Sequence, residues 1–409
     1  MLGGVLVLLV TGVFSFWWIG QLQAKHPSID AIILKRLYFY HLLLFAGYYL
    51  YGQFNSSDSQ YYYFKLVTDY RGPDWWSFYG TSTRFIEFAA YPFVRFFNFS
   101  YEAIMALCSF IGFAGFVYLY IMYRENIHFK HTFLGYNLMT LIFFMPTTHF
   151  FSNSLGKGSV IIFGVGLFFY AISRFRTRLF ALLIGALVIY YVRPHVMLVI
   201  IVSSAIAFVF SSKNVSMSWR LFFLAISVVA FFFIYRSVFE MVGIDEEEVV
   251  SQGLDLTHRA TELTKATSGI DITSYGLPLQ VFTFLYRPLF FDAPGLLGLI
   301  ASFENLFVLI LTLKLVTRAS GITFMFTGTF LTKIALLSFF TVSVALAQIA
   351  GNLGLAMRQK SQVMMLFLFV VLSYMDSEKY KQWIALRRRR LEKTPPQAYA
   401  AGTDGLKRA

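Results

Sequence analysis

The chain has 409 residues, of which 57% are apolar, 19% aromatic and 13% charged, with a formal net charge of +13. A soluble globular protein carries about 25% charge; a mean hydropathy of +0.64 with 48 Phe leaves more apolar area than an aqueous fold can hide, which excludes a soluble enzyme. The single cysteine, Cys108, excludes a disulfide framework and any multi-cysteine metal site, and its apolar surroundings make it a small lipid-phase or core residue.

Apolar runs that predict membrane spans occur at about 2–19, 37–54, 101–123, 133–151, 159–173, 179–192, 196–210, 221–235, 296–313, 322–346 and 363–375. This gives eleven candidates, within the roughly ten to twelve that the length allows. Several fall short of the ~20 residues a span needs, so their ends extend into flanking Tyr, Trp, Ser and Arg. The runs 179–192 and 196–210, separated by Arg193-Pro194-His195, also read as one kinked span. The first run has no basic segment before it and no small-residue cleavage site, so it reads as a retained helix.

Charge sets the expected orientation. The segment 377–409 carries Lys379, Lys381, Arg387 to Arg390, Lys393, Lys407 and Arg408, which marks it as cytoplasmic. Counting back through eleven spans puts Lys25, Lys35, Arg36, Arg124, Lys130, Arg174, Arg176, Arg178, Lys213, Arg220, Lys314 and Arg318 on the same side, while most acidic residues fall on the other. Merging 179–192 with 196–210 breaks this alternation, so two helices are preferred. The expectation is an all-α polytopic membrane protein with about eleven transmembrane helices, N-terminus outside and C-terminus cytoplasmic. It divides into a transmembrane domain, 1–376, and a basic cytoplasmic tail, 377–409, that rests on anionic headgroups or docks a cytoplasmic partner. The basic excess is then a topology signal, and no nucleic-acid partner is expected.

Two outer loops are long, about 55–100 and 236–295. Both are too aromatic to be disordered. Tyr61-Tyr62-Tyr63-Phe64, Trp75-Trp76 and Tyr91 to Phe97 read as half-buried interfacial helices, as does Phe282 to Phe291 beyond the acidic Asp245 to Glu248 and a Thr/Ser-rich amphipathic stretch. Such aromatics stack on sugar rings, and they also serve as ordinary interface anchors.

Five cations lie on the outer side against the charge bias: Lys157, Arg193, Arg287, Arg358 and Lys360. Singly, each can snorkel to lipid phosphate. Together they can hold a phosphorylated anion whose lipid tail stays in the bilayer, arginine best because its planar fork bonds phosphate oxygens in pairs. His195, beside Arg193, is a candidate general base. Asp58 and Glu304 are candidate carboxylates for the same task, Glu304 because an ionisable group inside a span is costly. Lys333, near mid-span, is expected to pair with Glu304. Gly156-Lys157-Gly158-Ser159 lacks the leading Gly of a P-loop, and no zinc motif, nucleophile elbow or metal-spaced acidic cluster occurs, so neither a metal nor another cofactor is expected.

Pro146 to Lys157, then Arg193-Pro194-His195, then Phe284-Leu285-Tyr286-Arg287-Pro288 with Glu304-Asn305, then Asn352 to Lys360 together resemble polytopic proteins of bacterial surface-polysaccharide clusters, above all the O-antigen or exopolysaccharide repeat-unit polymerases. The resemblance covers most of the chain in topology and about four short motifs in residues. Where that family pattern has an Asp directly after the Lys, this chain has Gly158. The resemblance implies a metal-independent glycosyltransferase that moves a growing glycan from undecaprenyl diphosphate onto a second lipid-linked repeat unit at the outer face of the cytoplasmic membrane. Arg193, Arg287 and Arg358 would then neutralise the departing diphosphate, with Lys157 and Lys360 as further diphosphate ligands. His195 or Glu304 would take the acceptor proton. The implied partners are lipid-linked oligosaccharide, membrane lipid, and a flippase or chain-length regulator. Two alternatives are a transporter or flippase of lipid-linked glycan, and a glycosyltransferase using a lipid-phosphate sugar donor, for which Asp58 is an acidic residue in the first outer loop.

Overall fold

A computed structural model of the chain describes residues 2–211, 269–272 and 274–393, with a few positions between 217 and 229. The expected span 221–235, the acidic Asp245 to Glu248, Lys213, Arg220 and the end of the tail from 394 lie outside the fully described stretches. The fold is all-α among the described residues, apart from a two-stranded hairpin at Thr132–Phe133 and Tyr136–Asn137.

The helices are α1 (Leu2–Lys25), α2 (Ala31–Phe54), α3 (Asp58–Val67), α4 (Thr83–Tyr91), α5 (Tyr101–Asn126), α6 (Leu138–Phe143), α7 (Pro146–Phe151), α8 (Lys157–Ile172), α9 (Leu179–Val192), α10 (Pro194–Ser211), α11 (Leu277–Tyr286), α12 (Gly295–Val316), α13 (Ala319–Thr327), α14 (Phe330–Ala347) and α15 (Leu353–Lys393). Five of them, α1, α5, α12, α14 and α15, are long and apolar enough to cross a membrane. On α1, Leu6, Leu9, Val13 and Trp17 form an exposed stripe at helical spacing, a surface suited to lipid tails. Only 22% of the apolar part of α1 is buried, against 78% in α5 and 83% in α15, so α5 and α15 form the centre of the bundle.

Side chains and prolines punctuate the chain. Asp30 caps α2 by accepting from Ile32 N (2.9 Å) and Ile33 N (3.3 Å), and Ser100 caps α5 by accepting from Ala103 N at 3.4 Å. The expected span 133–151 is broken: the hairpin occupies its start, and α6 and α7 are separated at Phe144-Met145 because Pro146 cannot continue the preceding helical ladder. The expected span 322–346 divides into α13 and α14 at Gly328-Thr329, where the Thr329 hydroxyl accepts from Thr332 N. Two helices, α9 and α10, replace any single kinked span 179–210. Arg193 between them is pushed out of the helical region (φ −147°, ψ 80°) by the following Pro194. The last helix begins ten residues before the expected 363 and continues past 376 to Lys393, so the basic tail starts as a helical extension of the bundle. At 41 residues it is about 60 Å long, twice a ~30 Å hydrocarbon core.

Small residues let the central helices touch backbone to backbone. A Cβ on Gly115 of α5 would lie 2.6 Å from the Ile162 carbonyl of α8, and one on Gly185 of α9 would lie 2.7 Å from Phe168 N. The Tyr123 hydroxyl of α5 donates to the Met365 carbonyl of α15, a buried cross-link between the two central helices.

Contacts sort the helix ends into two groups. At one end His26 meets Glu125 (3.1 Å), Arg178 bonds Glu125 (2.6 Å), and Asp376 accepts from His131 Nε2 (3.1 Å) and Phe129 N (2.7 Å). At the other, segment 55–100 folds over the start of α8, the α9–α10 turn and the start of α15. Its own core is charged: Glu87, fully buried, receives both Arg71 and Lys65.

Candidate cation site at the covered end

Asp58 is the first residue of α3, whose start is fixed by Ser57 N donating to Gln60 Oε1 at 3.3 Å. Its carboxylate receives Arg358 Nη1 at 2.5 Å, from the second turn of α15. Both partners are open to solvent, their side chains 52% and 40% exposed. Arg193 is different. It is 8% exposed, and its Nε is buried without a hydrogen-bond partner among the described residues. Burial first, and then the like charge of Arg358, lower its guanidinium to about 10, still protonated at neutral pH. The buried Tyr62, one turn after Asp58 on α3, acts in the opposite direction. Three sequence candidates, Asp58, Arg193 and Arg358, are therefore brought together from α3, the α9–α10 turn and α15.

Lys157 reaches the same region by a relay. Its Nζ donates to Ser82 Oγ at 2.7 Å, and Ser82 N donates to the Tyr191 carbonyl at 2.6 Å, two residues before Arg193. Tyr191 belongs to an aromatic group: Phe85 stacks on it at 5.0 Å, and its hydroxyl bonds that of Tyr79 at 2.9 Å. Tyr79 in turn meets Trp76 and Phe88, and Phe88 stacks on Trp75 at 4.9 Å. Trp76 and Tyr79 are exposed. This is an amphipathic aromatic face beside a cation pair. His195 lies half-buried in the first turn of α10, two residues beyond Arg193.

The other sequence candidates form a second, internal group. Lys360 is two residues from Arg358, about 200° around the helix, and points into the bundle. Its ammonium donates to the carbonyls of Leu285 (3.1 Å) and Arg287 (2.8 Å) and to Asn305 Oδ1 (2.8 Å). An ammonium has three donors, so Lys360 has none left for a phosphate, and it braces the end of α11 against α12. Arg287 Nε donates to Asp292 Oδ2 at 2.5 Å, and Asn305 Nδ2 donates to the Pro288 carbonyl at 2.7 Å.

Glu304 accepts from Thr147 N at 2.7 Å and from the Thr147 hydroxyl. Because Met145 offers no capping side chain to α7, Glu304 supplies the cap from another helix. The expected Glu304–Lys333 pair does not form. Lys333 Nζ donates to the Phe210 carbonyl at 3.1 Å, at the far end of α10, and the cation that acts on Glu304 is Lys360.

Ser82 and Tyr191 have no place in the sequence reading, and Tyr62, Asn305 and Thr147 enter it only as members of an aromatic run or a motif; each gains a specific contact through a partner distant in sequence. Among the described residues, no group of three or more His, Cys, Asp or Glu is arranged to hold a metal ion. Compared with protein-family models, with curated proteins and with solved structures, the chain matches none.

Proposed function

We propose that the chain is a polymerase-type glycosyltransferase that joins undecaprenyl-diphosphate-linked oligosaccharide repeat units at the outer face of a bacterial cytoplasmic membrane. The observation that carries this reading is the buried Arg193 beside Arg358, its Nε without a partner among the described residues, next to an exposed aromatic face. A buried guanidinium without an anion is costly, and a diphosphate offers charge and oxygens to both arginines at once. The aromatic group of Trp76, Tyr79, Phe85 and Tyr191 suits the faces of sugar rings.

In the reaction, the acceptor hydroxyl oxygen attacks the anomeric carbon of the donor glycan. The bond from that carbon to the diphosphate oxygen breaks, and the diphosphate leaves with the electron pair. Arg193 and Arg358 stabilise the leaving charge, a kind of contact whose loss costs about 10²- to 10³-fold in rate. Asp58 takes the hydroxyl proton: when the diphosphate occupies Arg358, the carboxylate is released in reach of the acceptor. His195 stands as the other base.

The topology belongs to the same reading. Counted as passes, α1, α2, α5, the broken α6–α7, α8, α9, α10, α12, α14 and α15 give ten of the eleven expected spans, and the remaining one, 221–235, lies outside the fully described stretches. The basic end of the bundle is then cytoplasmic, the covered end is outside, and a flippase delivers the substrate.

Proteoliposomes holding the purified protein and lipid-linked repeat units test this directly. A ladder of lengthened lipid-linked glycans is expected, together with release of undecaprenyl diphosphate, and both disappear with Arg193→Ala. Repeat units that cross the bilayer without lengthening would replace this reading with a transporter.

A further inference from the structure

Away from this site, two histidines meet in the middle of the bundle. His41 of α2 is 1% exposed and His149 of α7 is fully buried. Their Nδ1 atoms are 2.8 Å apart. His41 Nε2 lies 3.0 Å from the Ser109 carbonyl, and His149 Nε2 lies 2.8 Å from the Phe143 carbonyl.

A carbonyl oxygen only accepts, so each Nε2 must carry a hydrogen. Those two hydrogens use up the whole complement of two neutral imidazoles. The contact between the Nδ1 atoms would then set one lone pair against another at 2.8 Å, unless a third hydrogen lies between them. Turning either ring over would remove that contact only by putting a carbon, in place of a donating nitrogen, against a buried backbone carbonyl, at the cost of a hydrogen bond.

We propose that His41 and His149 form a proton-binding site, in which one proton beyond the neutral complement is shared between the two Nδ1 atoms. This inference does not depend on the proposed function.

The surroundings suit a delocalised cation. Phe116 of α5 stacks on the His149 ring at 3.9 Å and 13°, and the Tyr40 ring meets it edge-on at 5.2 Å. The backbone of both histidines is held by one side chain: Asn153 Nδ2 donates to the carbonyls of His41 (3.1 Å) and His149 (2.8 Å), while Asn153 Oδ1 accepts from Ser109 Oγ at 2.5 Å. The titratable groups around the pair are Tyr40 on α2, Cys108 beside Ser109 on α5, and Glu304 on α12, which is bonded to Thr147 two residues before His149. Lys360 on α15 acts on Glu304.

Uptake takes a proton from water onto one Nδ1 and makes the hydrogen bond that ties α2 to α7. Release returns two neutral rings, one of which must give up its carbonyl. Because α7 leads directly into the turn that ends at Lys157, the proton sets the packing of the segment behind the cation site.

The test uses the full chain, labelled with ¹⁵N-histidine, in lipid nanodiscs, with nitrogen–proton NMR recorded between about pH 5 and about pH 8. The expected result is one proton resonance correlated with two Nδ1 nitrogens whose Nε2 partners are both protonated. It is lost in His41→Gln and in His149→Gln. If the wild-type protein shows only singly protonated rings throughout that range, or if the resonance survives in His149→Gln, the site does not exist. The wild-type spectrum alone decides should either variant fail to fold.

Discussion

Asp58 and Arg358, 300 positions apart, are joined by a 2.5 Å hydrogen-bonded ion pair that fastens the first covering segment to the last helix. Exposed pairs of this kind contribute about 0.2 to 1 kcal/mol, because water screens them and two long side chains lose freedom. Stability and activity should therefore separate. Asp58→Asn and Arg358→Ala are expected to leave the thermal midpoint of the detergent-solubilised protein nearly unchanged. On the proposed function, glycan lengthening should fall by about 10²-fold or more in each. A large drop in midpoint with activity per folded molecule preserved would make the pair a structural clasp and remove both residues from the site.

Glu304 invites a catalytic reading in the sequence, since a carboxylate inside an apolar helix is costly, yet both its oxygens are engaged by Thr147. A cap of this kind contributes about 0.5 to 2 kcal/mol, and an unsatisfied buried donor costs about 1 to 3 kcal/mol. Glu304→Ala is expected to lower the unfolding midpoint clearly and to lower activity in proportion to the folded fraction. Thr147→Val should reproduce part of this effect, and the double variant should be less than additive, because the two residues share one interaction. Full stability in Glu304→Ala with activity abolished would restore the base assignment.

What the sequence made legible follows from the range of the interactions. The long helices follow from apolar runs, and the breaks at Pro146 and Pro194 follow from what a proline ring does to its neighbours. Arg193 and Arg358 could be singled out because they fall on the side that the charge bias disfavours, and Asp58 because it is a carboxylate in the first long loop. Their convergence depends on how α3 folds over the bundle, which no local pattern encodes. The same holds for Lys360: its sequence neighbours are those of Arg358, but a step of two residues turns it inward to three acceptors supplied by α11, the turn after it and α12. Chemistry alone matches Lys333 to Glu304, and the packing of α14 against α10 gives the lysine a carbonyl instead. His41 and His149 are 108 positions apart, and although His149 lies within the stretch Pro146 to Lys157, nothing local pairs it with His41.

Gly115 tests the packing that holds the centre together. Its Cα faces α8 so closely that any side chain would meet the Ile162 carbonyl at 2.6 Å, and backbone cannot move aside as a flexible side chain can. Gly115→Ala is expected to cost about 1 to 3 kcal/mol by overpacking, and Gly115→Val more. Gly47→Ala on α2, where a Cβ would meet nothing within 4 Å, is the control and should be neutral or slightly stabilising. Thermal unfolding in one detergent measures all three, and equal behaviour of Gly115→Ala and Gly47→Ala would contradict the close α5–α8 contact.

His26 gives the opposite end of the bundle a pH dependence whose sign can be worked out. It follows α1 and meets Glu125 at 3.1 Å, but burial, the largest influence, lowers its pKa below the ordinary 6.5. Glu125 partly offsets this, while the cations Arg178, Lys25 and Arg174 add to it. Below 6.5 the unfolded chain therefore binds a proton that the folded chain still refuses. The His26 contribution to stability is complete above 6.5 and is lost as the pH falls from there toward the lowered folded value. His26→Gln removes this one slope. The unfolding midpoint of wild type is expected to fall more steeply on acidification than that of the variant, with the two curves parallel above neutrality. Curves that stay parallel at acid pH, or a variant that falls more steeply than wild type, would show that Glu125 outweighs burial at this residue.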